Sequence, residues 1–157
     1  MIKVKVFKKP YRKVNGKKVY HSTGTGGLGS IYQSYDGWVK LFGEPFTGKD
    51  TDEYKTDAEW MIRLEEKNSW EVVTIYNYKD GKNYCGATGM DVEDITDWHI
   101  GGHTNAAKHL LEDYITQEQK YPGMNRDEEI RAEQAPDIGW TFWSKSHDEL
   151  HGEEQDS

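Results

Sequence analysis

Three residues with metal-binding side chains lie close together in the second half of the chain, at Asp97, His99 and His103. Imidazole and carboxylate groups bind zinc, manganese or iron, so these residues are candidate ligands. On a strand, Asp97 and His99 would share one face, because alternate residues of a strand point the same way. Gly101 and Gly102 interrupt the segment before His103, so the spacing defines no coordination geometry. We therefore predict no metal site. A metal site formed by these three residues is the alternative.

Side chains that could act as nucleophiles or acid–base groups occur in no pattern that defines a reaction. Cys85, the single cysteine, has no base beside it in the sequence that would generate a thiolate. Acidic pairs such as Glu65 and Glu66 arise by chance in a chain with 28 acidic residues. The glycine-rich segment 23–30 lacks the Gly-Lys-Ser/Thr ending of a phosphate-binding loop. We predict no catalytic residues, no enzymatic activity and no cofactor.

Aromatic side chains have a different functional interpretation, because Trp and Tyr contribute most to binding hot spots. The chain contains six Trp, ten Tyr and four Phe. The predicted partner-binding residues are Trp38, Tyr54, Trp98, His99, Trp140 and Trp143. The last two lie in an otherwise acidic C-terminal segment, where they would either pack back on the domain or anchor a partner.

Charge is distributed unevenly along the chain, whose formal net charge is -8. Residues 1–20 contain eight Lys and Arg and no acid, so the remainder carries -16. Basic side chains bind nucleic-acid phosphates without reading sequence, and the candidates here are Lys8, Lys9, Arg12, Lys13, Lys17 and Lys18. The alternative is that they form the exposed face of a strand pair, where charge protects an edge from aggregation. The acidic remainder suggests a further hypothesis, imitation of DNA phosphates in the basic groove of a partner.

Local patterns predict the elements that would position these residues. Alternation of apolar residues and lysines at 2–6, followed by the turn Asn15-Gly16, predicts strands and a basic hairpin. A helix is predicted from Ser30 or Ser34 to near Phe42, and another from Thr104 or Asn105. The remaining predicted strands are 60–64, 70–78 and 96–100, of which the first two should pair with each other.

The predicted fold class is α+β, with a small, mainly antiparallel sheet, one or two helices packed on one face, and a basic β-hairpin before it. A length of 157 residues suits one such domain. We predict a basic hairpin arm at 1–22, a glycine-rich linker at 23–30, the core domain at 31–121 and an acidic tail with an aromatic anchor at 122–157. The chain has no run of 18 apolar residues and no signal-peptide pattern, which predicts a cytoplasmic protein.

Four sequence blocks resemble a family of small phage-encoded proteins with no established activity. The blocks are Leu41-Phe42-Gly43-Glu44-Pro45, Tyr54-Lys55-Thr56-Asp57-Ala58-Glu59-Trp60, Thr74-Ile75-Tyr76-Asn77-Tyr78-Lys79 and Ile95-Thr96-Asp97-Trp98-His99-Ile100-Gly101-Gly102. The resemblance covers roughly residues 38–115. It implies a viral protein in a bacterial cytoplasm, where small non-enzymatic proteins bind host or defence machinery, and it implies no catalytic residue.

The resulting hypothesis is a phage-type, non-enzymatic inhibitor or modulator that binds a host or antiviral-defence protein complex stoichiometrically. One alternative is a nucleic-acid-associated accessory protein that uses the basic hairpin. Another is a small-ligand or metal-binding domain with its site near 98–103. None of these hypotheses involves a membrane.

Overall fold

The computed structural model of the chain describes residues 1–52 and 54–122. Within these ranges there are seven strands and three α-helices. The strands are β1 (Lys3–Val6), β2 (Tyr11–Val14), β3 (Lys17–Tyr20), β4 (Gly26–Tyr32), β5 (Glu59–Glu66), β6 (Ser69–Tyr76) and β7 (Asp97–Gly102). The helices are α1 (Tyr35–Phe42), α2 (Lys82–Cys85) and α3 (Asn105–Lys120). The predicted α+β fold class is confirmed.

The described strands form two antiparallel sheets. The main sheet has five strands in the order β1-β5-β6-β7-β4, and β2 pairs with β3 alone. Strands β5 and β6 pair from Glu59 opposite Tyr76 to Glu66 opposite Ser69, as predicted. The β2–β3 turn has φ of 53° at Asn15 and 81° at Gly16, the positive values that a two-residue hairpin turn requires. The predicted basic hairpin is therefore confirmed.

Helices α1 and α3 pack on one face of the main sheet. The sheet contributes alternate residues to this face, including Ile75 opposite Ile100 on the neighbouring strand. The two helices meet where the rings of Phe42 and Tyr114 stack, with centroids 5.9 Å apart. Ala107, Ile75 and Ile100 are fully buried, so this layer holds the apolar core.

The boundaries of the two longer helices follow from their flanking residues. The Ser34 hydroxyl accepts a hydrogen bond from the backbone N–H of Gly37 at 2.9 Å and begins α1. Gly43 ends α1 with φ of 83°, a conformation that side-chain-bearing residues rarely adopt. Thr104 occupies the N-cap position of α3. Both helices therefore begin at residues that the sequence predicted.

The prediction of a glycine-rich linker at 23–30 is wrong for most of that segment. Residues 26–30 belong to β4, which pairs with β7 at the edge of the main sheet. Gly29 has φ of 131° and lies at a bulge in this pairing. On β7, a Cβ at Gly102 would lie 2.6 Å from the Cβ of Ala107 in α3. The glycines of this region permit a bulge and a close helix approach, which composition alone does not distinguish from flexibility.

The predicted arm at 1–22 is also only partly separate from the core. Strand β1 pairs with β5 from Lys3 opposite Glu65 to Val6 opposite Ile62, so it belongs to the main sheet. The stacked rings of Phe7 and His21, 3.8 Å apart, join the two ends of the segment that carries the hairpin. The predicted tail lies outside the described residues, apart from Pro122. No helix in the described ranges is long and apolar enough to span a membrane.

Candidate functional site

Two of the predicted partner contacts, Trp38 and Trp98, are wrong because both side chains are 0% exposed. Both rings contact the buried Trp60, with centroid distances of 6.3 Å and 5.3 Å. A large aromatic side chain at an apolar position suits a core as well as an interface, so residue type did not distinguish the two roles. The predicted anchors Trp140 and Trp143 lie outside the described residues.

Tyr54 is 61% exposed and lies within a cluster of tyrosines at one end of the main sheet. Its ring meets Tyr84 edge to face, with centroids 5.1 Å apart. The Lys79 ammonium lies 5.4 Å from the Tyr84 ring and 5.2 Å from the Tyr78 ring, so it bridges the two. Lys55 lies 6.0 Å from the Tyr78 ring. These cation–π contacts hold the exposed rings next to one another.

The cluster continues onto the sheet face opposite the helices through Tyr76 and His99. These two residues face each other across β6 and β7, and their rings stack with centroids 5.6 Å apart. Tyr78 meets the same imidazole edge to face at 5.9 Å. We call the continuous patch formed by Tyr54, Tyr76, Tyr78, Tyr84 and His99 the tyrosine surface. The sequence predicted two of its members, Tyr54 and His99.

Glu59 extends this row of side chains onto β5, directly opposite Tyr76. Burial raises the pKa of the Glu59 carboxyl to about 7, and the charge of Asp52 adds to this shift. Burial also raises the pKa of the Tyr76 phenol, with a further contribution from Glu59. The half-buried end of the tyrosine surface is therefore poor in negative charge below about pH 7, and it is rich in hydrogen-bonding groups.

The fully buried side chain of Asn77, directly after β6, fixes the loops that carry the exposed tyrosines. Its Oδ1 accepts hydrogen bonds from the backbone N–H of Asp57 at 2.7 Å and of Ala58 at 3.0 Å. Its Nδ2 donates to Oδ1 of Asp57 and to Oδ1 of Asp80, both at 2.9 Å. The amide thus uses two acceptor and two donor positions. It ties the loop after Tyr54 to the loop between Tyr78 and Tyr84.

Close packing strengthens the same connection. The backbone N–H of Asn83 donates to Oδ2 of Asp57 at 3.2 Å, and the Asn83 side chain donates to the Thr56 carbonyl at 3.0 Å. A Cβ at Gly81 would collide with the Asp57 carboxylate, so glycine is required for this approach. The two loops therefore form one packed unit that carries the exposed tyrosines.

The metal-binding alternative is not supported by the positions of its residues. Asp97 and His99 share a sheet face as predicted. His103 instead lies beside Gly24, where a Cβ added to the glycine would come within 3.3 Å of the His103 ring. Among residues 1–52 and 54–122, no three His, Cys, Asp or Glu side chains are placed to hold a metal ion together.

The basic hairpin has a geometry of its own. Lys13 lies directly opposite Lys18, and Arg12 directly opposite Val19. The ammonium groups of Lys9 and Lys18 both lie over the Tyr11 ring, at 5.7 Å and 4.4 Å. Lys8, Lys13, Lys17 and Lys18 are exposed. The hairpin thus places several cations on a small surface.

The sequence missed Tyr76, Tyr78 and Tyr84 as functional residues. Tyr76 and Tyr78 are alternate residues of a predicted strand, so the sequence placed them on the same face. It did not show whether that face is buried or exposed. The contact between Tyr84 and Tyr54 depends on the Asn77 hydrogen bonds, which join segments about 20 residues apart. Comparisons with protein-family models, curated proteins and solved structures found no match.

Proposed function

We propose that the protein is a non-enzymatic binding protein that engages a partner protein stoichiometrically through the tyrosine surface. The observation that carries this proposal is the exposure of Tyr54, Tyr78 and Tyr84, at 61%, 40% and 39%, on loops fixed by a buried hydrogen-bond network. The class of partner is the one that the sequence resemblance implies, a bacterial host or antiviral-defence complex.

The chemistry of the surface supports binding of a protein. Tyrosine buries a large area while losing few rotatable bonds, and its hydroxyl group makes hydrogen bonds at the rim of an interface. Because Asn77 and Asp57 already order the loops, little conformational entropy remains to be lost on association. Lys55 and Lys79 lie among the rings and would pair with carboxylates of the partner.

The test is affinity purification of the full chain from bacterial lysate at low salt, followed by titration calorimetry with the purified partner. We expect Tyr54→Ala and Tyr84→Ala each to weaken binding about 30-fold, which is a hot-spot loss of about 2 kcal/mol. The matched controls are Tyr121→Ala and Tyr20→Ala, which remove exposed tyrosines outside the tyrosine surface. The controls should change the dissociation constant less than twofold.

Two results would contradict the proposal. One is the absence of a stoichiometric partner in the lysate at low salt. The other is a partner whose affinity falls no more with Tyr54→Ala and Tyr84→Ala than with the two control substitutions.

Nucleic-acid binding by the basic hairpin is a second candidate, favoured by the cross-strand pair of Lys13 and Lys18. Like charges directly opposite each other destabilise a strand pair, and a polyanion would relieve that repulsion. We expect wild type to bind single-stranded nucleic acid with an affinity that falls as salt rises.

The corresponding variant changes the exposed Lys8, Lys13, Lys17 and Lys18 to Ala. The salt slope should fall by about 0.7 for each phosphate that the variant no longer neutralises. The matched control is Lys49→Ala with Lys67→Ala, two exposed lysines outside the hairpin. A wild-type protein that gives no gel shift at low salt would eliminate this candidate.

A further inference from the structure

The two edges of the main sheet are built differently, and β1 is the protected one. It is four residues long and carries Lys3 and Lys5, which discourage pairing with another strand. At Ile2, the Gln117 side chain from α3 occupies the backbone groups that a neighbouring strand would use. Oε1 of Gln117 accepts from the Ile2 N–H at 2.8 Å, and its Nε2 donates to the Ile2 carbonyl at 2.9 Å.

The opposite edge, β4, has none of these features. Its sequence, Gly-Gly-Leu-Gly-Ser-Ile-Tyr, is seven residues long and contains no charged residue and no proline. Five of the seven residues are exposed, and Tyr32 is 79% exposed. A long, uncharged, exposed edge is a template for pairing with another chain.

The pairing with β7 identifies which backbone groups of β4 point outward. The Gln33 N–H donates to the Thr96 carbonyl at 2.9 Å, so this is a hydrogen-bonded pair of the antiparallel ladder. Such pairs alternate along a ladder, so Ile31 is also bonded toward β7, opposite Trp98. The N–H and C=O groups of Ser30 and Tyr32 therefore face away from the sheet. Within residues 1–52 and 54–122, these four groups have no hydrogen-bond partner.

We propose that β4 pairs antiparallel with β4 of a second copy of this chain, across a two-fold axis at Ile31. In this register Ser30 of each copy lies opposite Tyr32 of the other. Two residues in such a hydrogen-bonded pair exchange both N–H···O=C bonds. All four outward groups of each copy are then satisfied, and the two five-stranded sheets join into one.

A second copy fits this edge because its outward groups are complementary to themselves. A two-fold interface brings one surface patch against the same patch, and the pairing of Ser30 with Tyr32 meets that condition. Ser30 and Tyr32 lie on the sheet face opposite the helices, so each Tyr32 ring would cover the Ser30 of the other copy. The strand carries no charge, so the net charge of -8 per chain is not concentrated at the contact.

The first test is analytical ultracentrifugation of the full chain up to about 1 mM, because an interface this small is in the weak, transient class. We expect a reversible species of twice the 18.2 kDa chain mass. Ser30→Pro removes an outward N–H that makes no hydrogen bond to β7, and Ser30→Lys places a charge on the edge. Each should weaken the dimer at least tenfold, whereas Ser69→Lys, at the exposed first residue of β6, should not. Far-UV circular dichroism confirms that each variant is folded.

The second test examines the register. In a Cys85→Ser background, Ile31→Cys places two thiols opposite each other in a non-hydrogen-bonded pair, where side chains are closest. Mild oxidation should link these chains, and a Ser69→Cys control in the same background should not link. A chain that stays monomeric to about 1 mM, a dimer unaffected by both Ser30 substitutions, or failure of the Ile31→Cys chains to link would overturn the proposal. None of these results depends on the tyrosine surface or its partner.

Discussion

Three tryptophans in the described part of the core, Trp38, Trp60 and Trp98, are almost completely buried but differ in one hydrogen bond. The Trp60 indole N–H donates to the Gly43 carbonyl at 2.7 Å, and the Trp98 indole N–H donates to the Ile95 carbonyl at 3.0 Å. The Trp38 indole N–H has no acceptor among residues 1–52 and 54–122. Replacement of each tryptophan by phenylalanine therefore makes the same change in three polar environments.

The expected free-energy differences follow from those environments. Each Trp→Phe change removes the same atoms and leaves a similar cavity, so the packing cost is common to the three variants. Trp98→Phe also leaves the carbonyl of the buried residue Ile95 without its donor, which costs about 1–3 kcal/mol. Gly43 is exposed, so water replaces part of the hydrogen bond that Trp60→Phe removes. Trp38→Phe removes an unsatisfied buried donor, which recovers about 1–3 kcal/mol.

The free energy of unfolding should therefore fall most in Trp98→Phe, less in Trp60→Phe and least in Trp38→Phe, with at least about 2 kcal/mol between the extremes. Urea unfolding followed by far-UV circular dichroism measures this order without relying on tryptophan fluorescence. Equal m-values across the variants would confirm that the unfolded state is unchanged. Equal losses at the three sites, or the greatest loss at Trp38, would refute the argument.

Three further predictions concern ionisable and polar groups, and each is measured by urea unfolding across a pH series. Glu59 keeps its proton to about pH 7 in the folded state, so the free energy of unfolding falls as pH rises from the ordinary carboxyl pKa of 4.5 through 7. Glu59→Gln should therefore raise the free energy of unfolding by about 3 kcal/mol at pH 8 and change it very little at pH 4. The pH dependence from His21 runs the other way, because burial and then the charge of Arg12 lower the pKa of its imidazole from 6.5 to about 4. The free energy of unfolding therefore falls as pH drops from 6.5 through 4. His21→Phe should remove this loss at acid pH and keep the ring stack on Phe7. Asn77→Asp would place a third carboxylate against those of Asp57 and Asp80. It should lower the free energy of unfolding by about 3 kcal/mol or more at pH 7 and by less at pH 4, where the new carboxyl is more often protonated. A loss of stability that does not depend on pH would contradict this prediction.

Local patterns predicted the fold class well, because the signals for its elements lie within short segments. Asn15-Gly16 specified the hairpin turn, Ser34 and Gly43 bounded α1, and the β-branched run after Ser69 formed β6. Each of these features depends on backbone preferences of a few adjacent residues.

The site could be predicted only in part, because it depends on contacts between distant segments. The alternation of Trp98 and His99 placed the two residues on opposite faces, but which face is buried depends on where α3 packs. The stack of His99 on Tyr76 requires the register between β6 and β7. Asn77 is a buried polar residue whose acceptor oxygen is bound by Asp57 and Ala58, about 20 residues earlier, and no local pattern specifies that contact. Glycines were misinterpreted because close packing and flexibility require the same residue type.

The Gln117 side chain that holds the Ile2 backbone also constrains the order of folding. These residues are 115 positions apart, so β1 acquires this contact only after α3 has been synthesised and has docked. During translation, a chain that already contains the five main-sheet strands but not α3 would expose both sheet edges. Docking of α3 satisfies the Ile2 backbone groups, so mispairing of the β1 edge with another nascent chain is most favourable before this helix docks.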